Sequence, residues 1–129
     1  MTLFFDRNLG HKVPDALLLL GLPVTKHDDR FTQGATDEEW LQEVGQQGWV
    51  VVTRDEKLWW NASALKALSD HRLGCFVLSG AGDRPRWYAV RILARNWDTV
   101  ERLASGEERP FLCRLRLRQS VELKQLAAR

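Results

Sequence analysis

The sequence predicts an α/β protein, a three-layer α/β/α sandwich with a mainly parallel central sheet of about five strands. Three observations carry this. Short apolar runs alternate with helical patterns in the order β-α-β-α-β-α-β-α-β, which favours parallel strands with helices on both faces. The run Trp49-Val50-Val51-Val52-Thr53 is apolar and β-branched throughout, as a strand buried on both faces should be. That run and Leu3-Phe4-Phe5 both end abruptly in charge, at Arg54-Asp55 and at Asp6. In parallel sheets, sites form at the carboxyl ends of the strands.

Residues 2–6 read as the first strand and 8–11 as a loop. Pro14 and Asp15 suit the first turn of a helix, by a missing N–H and by the helix dipole. Ala16 to Leu20 continue it, apolar nearly all round, so this helix end is expected to be buried. A weaker strand follows over 23–28, then Asp28-Asp29 and a loop through Gln33-Gly34. Thr36-Asp37-Glu38-Glu39 is a capping box, with Thr36 as N-cap and Glu39 three residues on. Trp40, Leu41 and Val44 give that helix its apolar face, and Gly45 and Gly48 end it.

After the central strand, 55–61 read as a loop or short turn carrying Trp59 and Trp60, for which packing is favoured over base stacking. A helix follows over 62–71, then a strand over Cys75-Phe76-Val77-Leu78. The longest predicted helix spans 85–104, with Val90, Leu93, Trp97 and Val100 on one face. Phe111 to Arg118 alternates, and is expected to be a half-exposed edge strand with an arginine comb of Arg114, Arg116 and Arg118. Residues 119–129 read as a polar or weakly helical tail.

At 129 residues the chain is expected to form one domain over 1–129, long enough to bury a core without staples. Its longest apolar run, Ala16–Leu20, is far short of a membrane span. With no signal-peptide pattern, a cytoplasmic, non-membrane protein is expected. Cys75 and Cys113 fit no zinc spacing and read as small buried hydrophobes. The net charge of +2 is too mild to establish nucleic-acid binding, but acids crowd the first half and arginines the second.

Asp6, Asp37 and Asp55 are the candidate site. Three ionised carboxylates at close range repel, and a divalent cation relieves that. Oxygen-only donors favour Mg²⁺ or Mn²⁺ over zinc. The chemistry that most often asks for this arrangement is phosphodiester hydrolysis. Glu38 is a further candidate donor. Thr53 and Asn8 are candidates for orienting a water or a carboxylate. Arg54, Arg114, Arg116 and Arg118 are candidate phosphate contacts, since arginine suits bidentate phosphate recognition; a solvated strand face or partner binding is the alternative for the last three, and neutralising Asp6 or Asp55 for Arg54. For each acid a capping or turn role stands as the alternative.

The stretches Phe5-Asp6-Arg7-Asn8-Leu9, Thr36-Asp37-Glu38-Glu39-Trp40 and Gly48 to Asp55 resemble the PIN-like domains. They look most like the VapC-type toxin branch of bacterial toxin–antitoxin pairs, as does His27-Asp28-Asp29. The likeness is good over residues 3–80. It implies an α/β/α sandwich and a Mg²⁺- or Mn²⁺-dependent endoribonuclease, with Asp6, Asp37 and Asp55 as metal ligands. It also implies an RNA substrate, a cognate antitoxin that blocks the site, and often a homodimer. One departure is that the fourth strand carries no acid near its end, where Val77-Leu78-Ser79-Gly80 stand. Two other classes compete: a receiver-like phosphoacceptor module, lacking the lysine such modules need after the fifth strand, and a catalytically inert interaction protein on the same scaffold.

Overall fold

Along each inner strand, alternate residues point to opposite faces of the sheet and into two separate cores. Leu3, Phe5, Val50, Val52, Phe76, Leu78, Phe111, Cys113 and Leu115 face one. Phe4, Val51, Cys75, Val77 and Leu112 face the other. The computed structural model describes residues 1–32 and 36–126, apart from the side chains of Asp28, Asp29 and Asp37. The expected loop residues Gln33 and Gly34 lie outside it.

The elements in chain order are β1 (Leu3–Phe5), α1 (Lys12–Leu19), β2 (Val24–Lys26), α2 (His27–Arg30), α3 (Asp37–Gln47) and β3 (Val50–Thr53). Then come α4 (Ala62–Asp70), β4 (Gly74–Leu78), α5 (Arg86–Arg95), α6 (Trp97–Gly106), β5 (Phe111–Leu115) and β6 (Glu122–Gln125). The sheet order is β2-β1-β3-β4-β5-β6. The first five strands are parallel, and only β6 runs antiparallel. Helices α1, α5 and α6 cover the first face through Val13, Leu17, Ile92, Leu93, Val100 and Leu103. Helices α3 and α4 cover the second through Leu41, Val44 and Leu68. The three-layer α/β/α sandwich with a mainly parallel sheet is therefore present. No described helix is long and apolar enough to cross a membrane.

Local chemistry explains the elements that flank the site. Thr36 caps α3, its Oγ1 accepting from the Glu39 amide at 3.2 Å, as the capping box requires. Helix α3 runs through Gly45 and stops at Gly48, which takes the left-handed conformation at φ +72°. Gly45 is needed for a close approach instead: a Cβ there would stand 2.8 Å from the His71 carbonyl at the end of α4. Asn61 caps α4 by accepting from the Ala64 amide at 3.0 Å.

Several expectations are corrected. The helix expected over 85–104 is two helices, broken at Asn96. Its buried side-chain amide donates to its own turn, at Ile92 O (2.9 Å), and to Arg116 O (3.0 Å). Local side chain–backbone bonding of this kind competes with helix continuation. The strand expected over 111–118 ends at Leu115 and is not an edge, because residues 122–125 of the supposed tail pair with it as β6. The end of α1 is not buried: Leu18, Leu19 and Leu20 are 56%, 89% and 74% exposed, and only Val13, Pro14 and Leu17 turn inward. The second strand is shorter than expected, with residues 27–30 forming a single helical turn. Cys75 and Cys113 are buried and unpaired, as expected, and burial pushes both thiols up, that of Cys113 to about 12.

Two features of topology position the site. The strands adjoining β1 are β2 and β3, so the chain leaves β1 in one direction and returns to its other side. That creates a crevice at the carboxyl ends of β1 and β3. The second concerns handedness. The β1–β2 and β4–β5 connections cross the same face but travel in opposite directions along the sheet, so they have opposite hands. The β4–β5 crossover thus departs from the hand shared by the other parallel connections.

Candidate active site

Phe5 stands opposite Val52, so the next step brings Asp6 beside Thr53 at the sheet edge. The Asp6 amide extends the ladder by donating to Val52 O at 3.1 Å. Its side-chain Oδ1 accepts from the Asn8 amide at 3.0 Å and caps a short 3-10 turn over Arg7–Leu9. Asp55 does the same one strand over, with Oδ1 accepting from the Lys57 amide at 3.1 Å to cap a 3-10 turn over Glu56–Trp59. Each acid therefore has a capping role, and each capping bond uses only one carboxylate oxygen.

Thr53 ties the two loops together. Fully buried, its hydroxyl oxygen accepts from the Asp55 amide at 3.1 Å. The hydroxyl also reaches Asn8 Oδ1 at 3.4 Å, and it hydrogen-bonds the Asp6 carboxylate. Its single proton serves one of these acceptors at a time. Asp6 is raised from its ordinary 3.8 to about 6, first by burial. Its bonds from Thr53 and the Asn8 amide pull the other way, and the nearby Asp55 charge adds to the rise. The Asp55 charge thus reaches the Asp6 carboxylate. Both acids line a cleft of about 280 Å³, whose remaining walls are largely apolar side chains of α3 and α4, including Trp40, Leu41, Ala64 and Leu68.

The other candidates distribute as follows. The backbone of Asp37 opens α3 one turn before Leu41, which lines that cleft. The side chain of Asp37 lies outside the described residues, as do those of Asp28 and Asp29. Glu38 points elsewhere: it is exposed and pairs with His71 Nε2 at 3.2 Å. Arg54 follows Thr53 and forms no ion pair among the described residues. Arg114 and Arg116 do not form a free comb. Both guanidinium groups pair with Glu122 of β6. Arg114 also stacks on Trp59, with Cζ 4.2 Å from the ring centroid, and Lys124 sits 4.3 Å from the same ring. Trp59 is thus a packing residue, whereas Trp60 is 68% exposed. Arg118 lies in the bend after β5 and is exposed.

One residue of the site was missed in the sequence. Glu56 accepts from Ser79 Oγ at 2.7 Å and from the Gly80 amide at 3.3 Å. An acid thus does stand at the end of the fourth strand, supplied by the turn after β3. The only signal was its place directly after Asp55.

A family model described as a PIN like domain matches residues 1–80, more than half of the chain. The chain belongs to the PIN-like domain family. The matched residues run from β1 through β4 and contain Asp6, Asp37, Asp55 and Glu56. No curated protein and no solved structure matches the chain. PIN-like domains are generally nucleases, so the fold is of a nuclease type.

The donor chemistry of this PIN-like site fits a hard divalent cation. Asp6 and Asp55 supply oxygen only, and each keeps an oxygen beyond its capping bond. Burial and the nearby Asp55 charge make the Asp6 carboxylate costly to ionise without a nearby positive charge. Among the described residues, no group of three or more His, Cys, Asp or Glu side chains is placed to hold a metal by itself. Among the described residues, Asp6 and Asp55 are the two acids that line the cleft.

Proposed function

We propose that this PIN-like chain is a metal-dependent endoribonuclease that hydrolyses RNA phosphodiester bonds, and that it is the toxin of a toxin–antitoxin pair. On this reading the whole chain is one domain. The observation that carries the catalytic part is the Asp6–Asp55 pair at the crevice between β1 and β3, with the Asp6 carboxyl raised to about 6, first by burial and further by the nearby Asp55 charge. The toxin assignment rests on the sequence resemblance and implies an antitoxin protein that covers the crevice.

Asp6, Asp55 and Asp37 would hold Mg²⁺ or Mn²⁺. Bound there, such an ion supplies a more acidic water and neutralises charge on the phosphate. The protein's own part is positional. Thr53 fixes the Asp55 loop through its backbone amide and steadies the Asp6 carboxylate. Asn8 bridges the two loops through Oδ1. The largely apolar cleft walls lower the dielectric around Asp6, which strengthens charge interactions there. The receiver-like alternative loses support. The Ser79 hydroxyl is engaged by Glu56, and Lys124 donates to the Trp59 carbonyl at 3.0 Å.

Purified protein is expected to cut single-stranded RNA with Mn²⁺ or Mg²⁺ and to stop when the metal is chelated. Asp6→Asn and Asp55→Asn should each reduce the rate by at least a hundredfold. Cleavage that persists in chelator and survives both substitutions would overturn the proposal.

A further inference from the structure

A basic and aromatic face lies beside the acid pair and takes no part in it. Ser79 and Gly80, which hold Glu56 next to Asp55, also form one wall of a cleft of about 260 Å³. Its other walls include Tyr88, Arg116 and Arg118. Tyr88 also lines a second cleft of about 200 Å³, with Arg84, Trp87 and Arg91. The two clefts therefore adjoin at the Tyr88 ring and lead from the acidic edge onto α5.

The charge on this face is one-sided. From Arg84 to Trp97 the chain carries four arginines and no acid. Arg84, Arg91 and Arg118 are exposed and form no ion pair among the described residues. The guanidinium of Arg84 sits 4.9 Å from the Tyr88 ring centroid. Trp87 is 68% exposed beside them. Arginines spaced along a groove with an open indole at Trp87 and a half-buried ring at Tyr88 match single-stranded nucleic acid, whose phosphates meet the cations while its unpaired bases stack. A duplex offers the phosphates but keeps its base faces covered.

We propose that this face is the track on which single-stranded RNA lies as it passes the acid pair. Arg84, Arg91 and Arg118 contact phosphates, Trp87 stacks on a base, and the Tyr88 ring holds the Arg84 guanidinium in place. The proposal rests on the nuclease reading for what happens to the strand, but its binding step can be measured alone.

The test uses the full chain carrying Asp6→Asn, in chelator, with a fluorescently labelled unstructured RNA of about a dozen nucleotides, a length of the order of known single-strand site sizes. Arg91→Glu with Arg118→Glu is expected to weaken binding at least tenfold. It should also flatten the salt dependence, by about 0.7 in log–log slope for each phosphate that is no longer neutralised. Trp87→Ala and Tyr88→Ala should each weaken binding at least threefold. Thermal melting of each variant checks that the fold is intact, and Arg91, Arg118 and Trp87 are exposed enough to change without unfolding it. Unchanged affinity in the double arginine variant overturns the track. So does loss with the arginines but none with either ring, or displacement by polyglutamate as readily as by unlabelled RNA, which would assign the face to an acidic protein partner. Failure of the unmutated chain to cut RNA with Mn²⁺ would remove the nuclease reading and leave the binding result to be judged by itself.

Discussion

At Asp6, burial and ionisation pull against each other. Its carboxyl is raised from 3.8 to about 6, so the folded chain binds a proton there more tightly than the unfolded chain does. A raised acid costs nothing while both states are protonated. The cost grows as pH rises above the unfolded value and is complete above the folded one. Stability is therefore expected to fall between about pH 4 and pH 6, by at most about 3 kcal/mol if the whole shift is realised. Asp6→Asn removes this dependence. Thermal melting should show the variant more stable than the unsubstituted chain at pH 7.5 and no more stable at pH 4. An equal difference at both pH values would mean that the gain is not electrostatic. Asp6 and Asp55 were legible in the sequence because each ends an apolar run, and strand direction alone sends such residues to the sheet edge. Glu56 and Glu38 were not. Which partner a turn residue reaches depends on the distance between β3 and β4, and Glu38 is drawn aside by a histidine 33 positions away.

The helices and strands show what kind of signal hydropathy carries. β1, β3 and β4 were plain because both their faces are buried. β6 was hidden because Glu122-Leu123-Lys124-Gln125 covers little apolar area and owes its place to β5, to ion pairs from Glu122 to Arg114 and Arg116, and to a bond from Gln125 to Glu107. The break between α5 and α6 was hidden for a different reason. Neither glycine nor proline marks it; a buried asparagine makes it, by bonds to partners four and twenty residues away. Asn96→Ala should cost about 1–3 kcal/mol in urea denaturation, since the carbonyl of Arg116 loses its donor in a partly buried setting. A change below the measurement error would show that the break is set by the helices' packing and not by the side chain.

For the molecule as a whole, the element order was enough to predict a parallel sheet with a crevice at its carboxyl edge, because connection rules leave few alternatives. The opposite-handed β4–β5 crossover could not be foreseen, since those same rules argue against it. It is what brings α5 and its arginines onto the face that α1 already occupies. The exposed end of α1 is another property of the whole surface. Leu19→Glu should change folding free energy by less than about 0.5 kcal/mol, because an 89% exposed side chain has little packing to give up. A larger loss in urea denaturation that depends on protein concentration would mean that a second copy covers the leucines in solution.

The crossover also sets an order of events during synthesis. Every strand that frames the acid pair has been made by the time Leu78 leaves the ribosome, so the crevice can form early. At that moment Phe76 and Leu78 still lack α5 and α6, and the sheet's outer flank at β4 is an open row of backbone donors and acceptors. A newly made chain that has reached Leu78 can thus form the carboxyl-edge crevice before α5 and α6 are there to cover the sheet. Slow translation of the last third would expose a sticky surface, not an unfinished site.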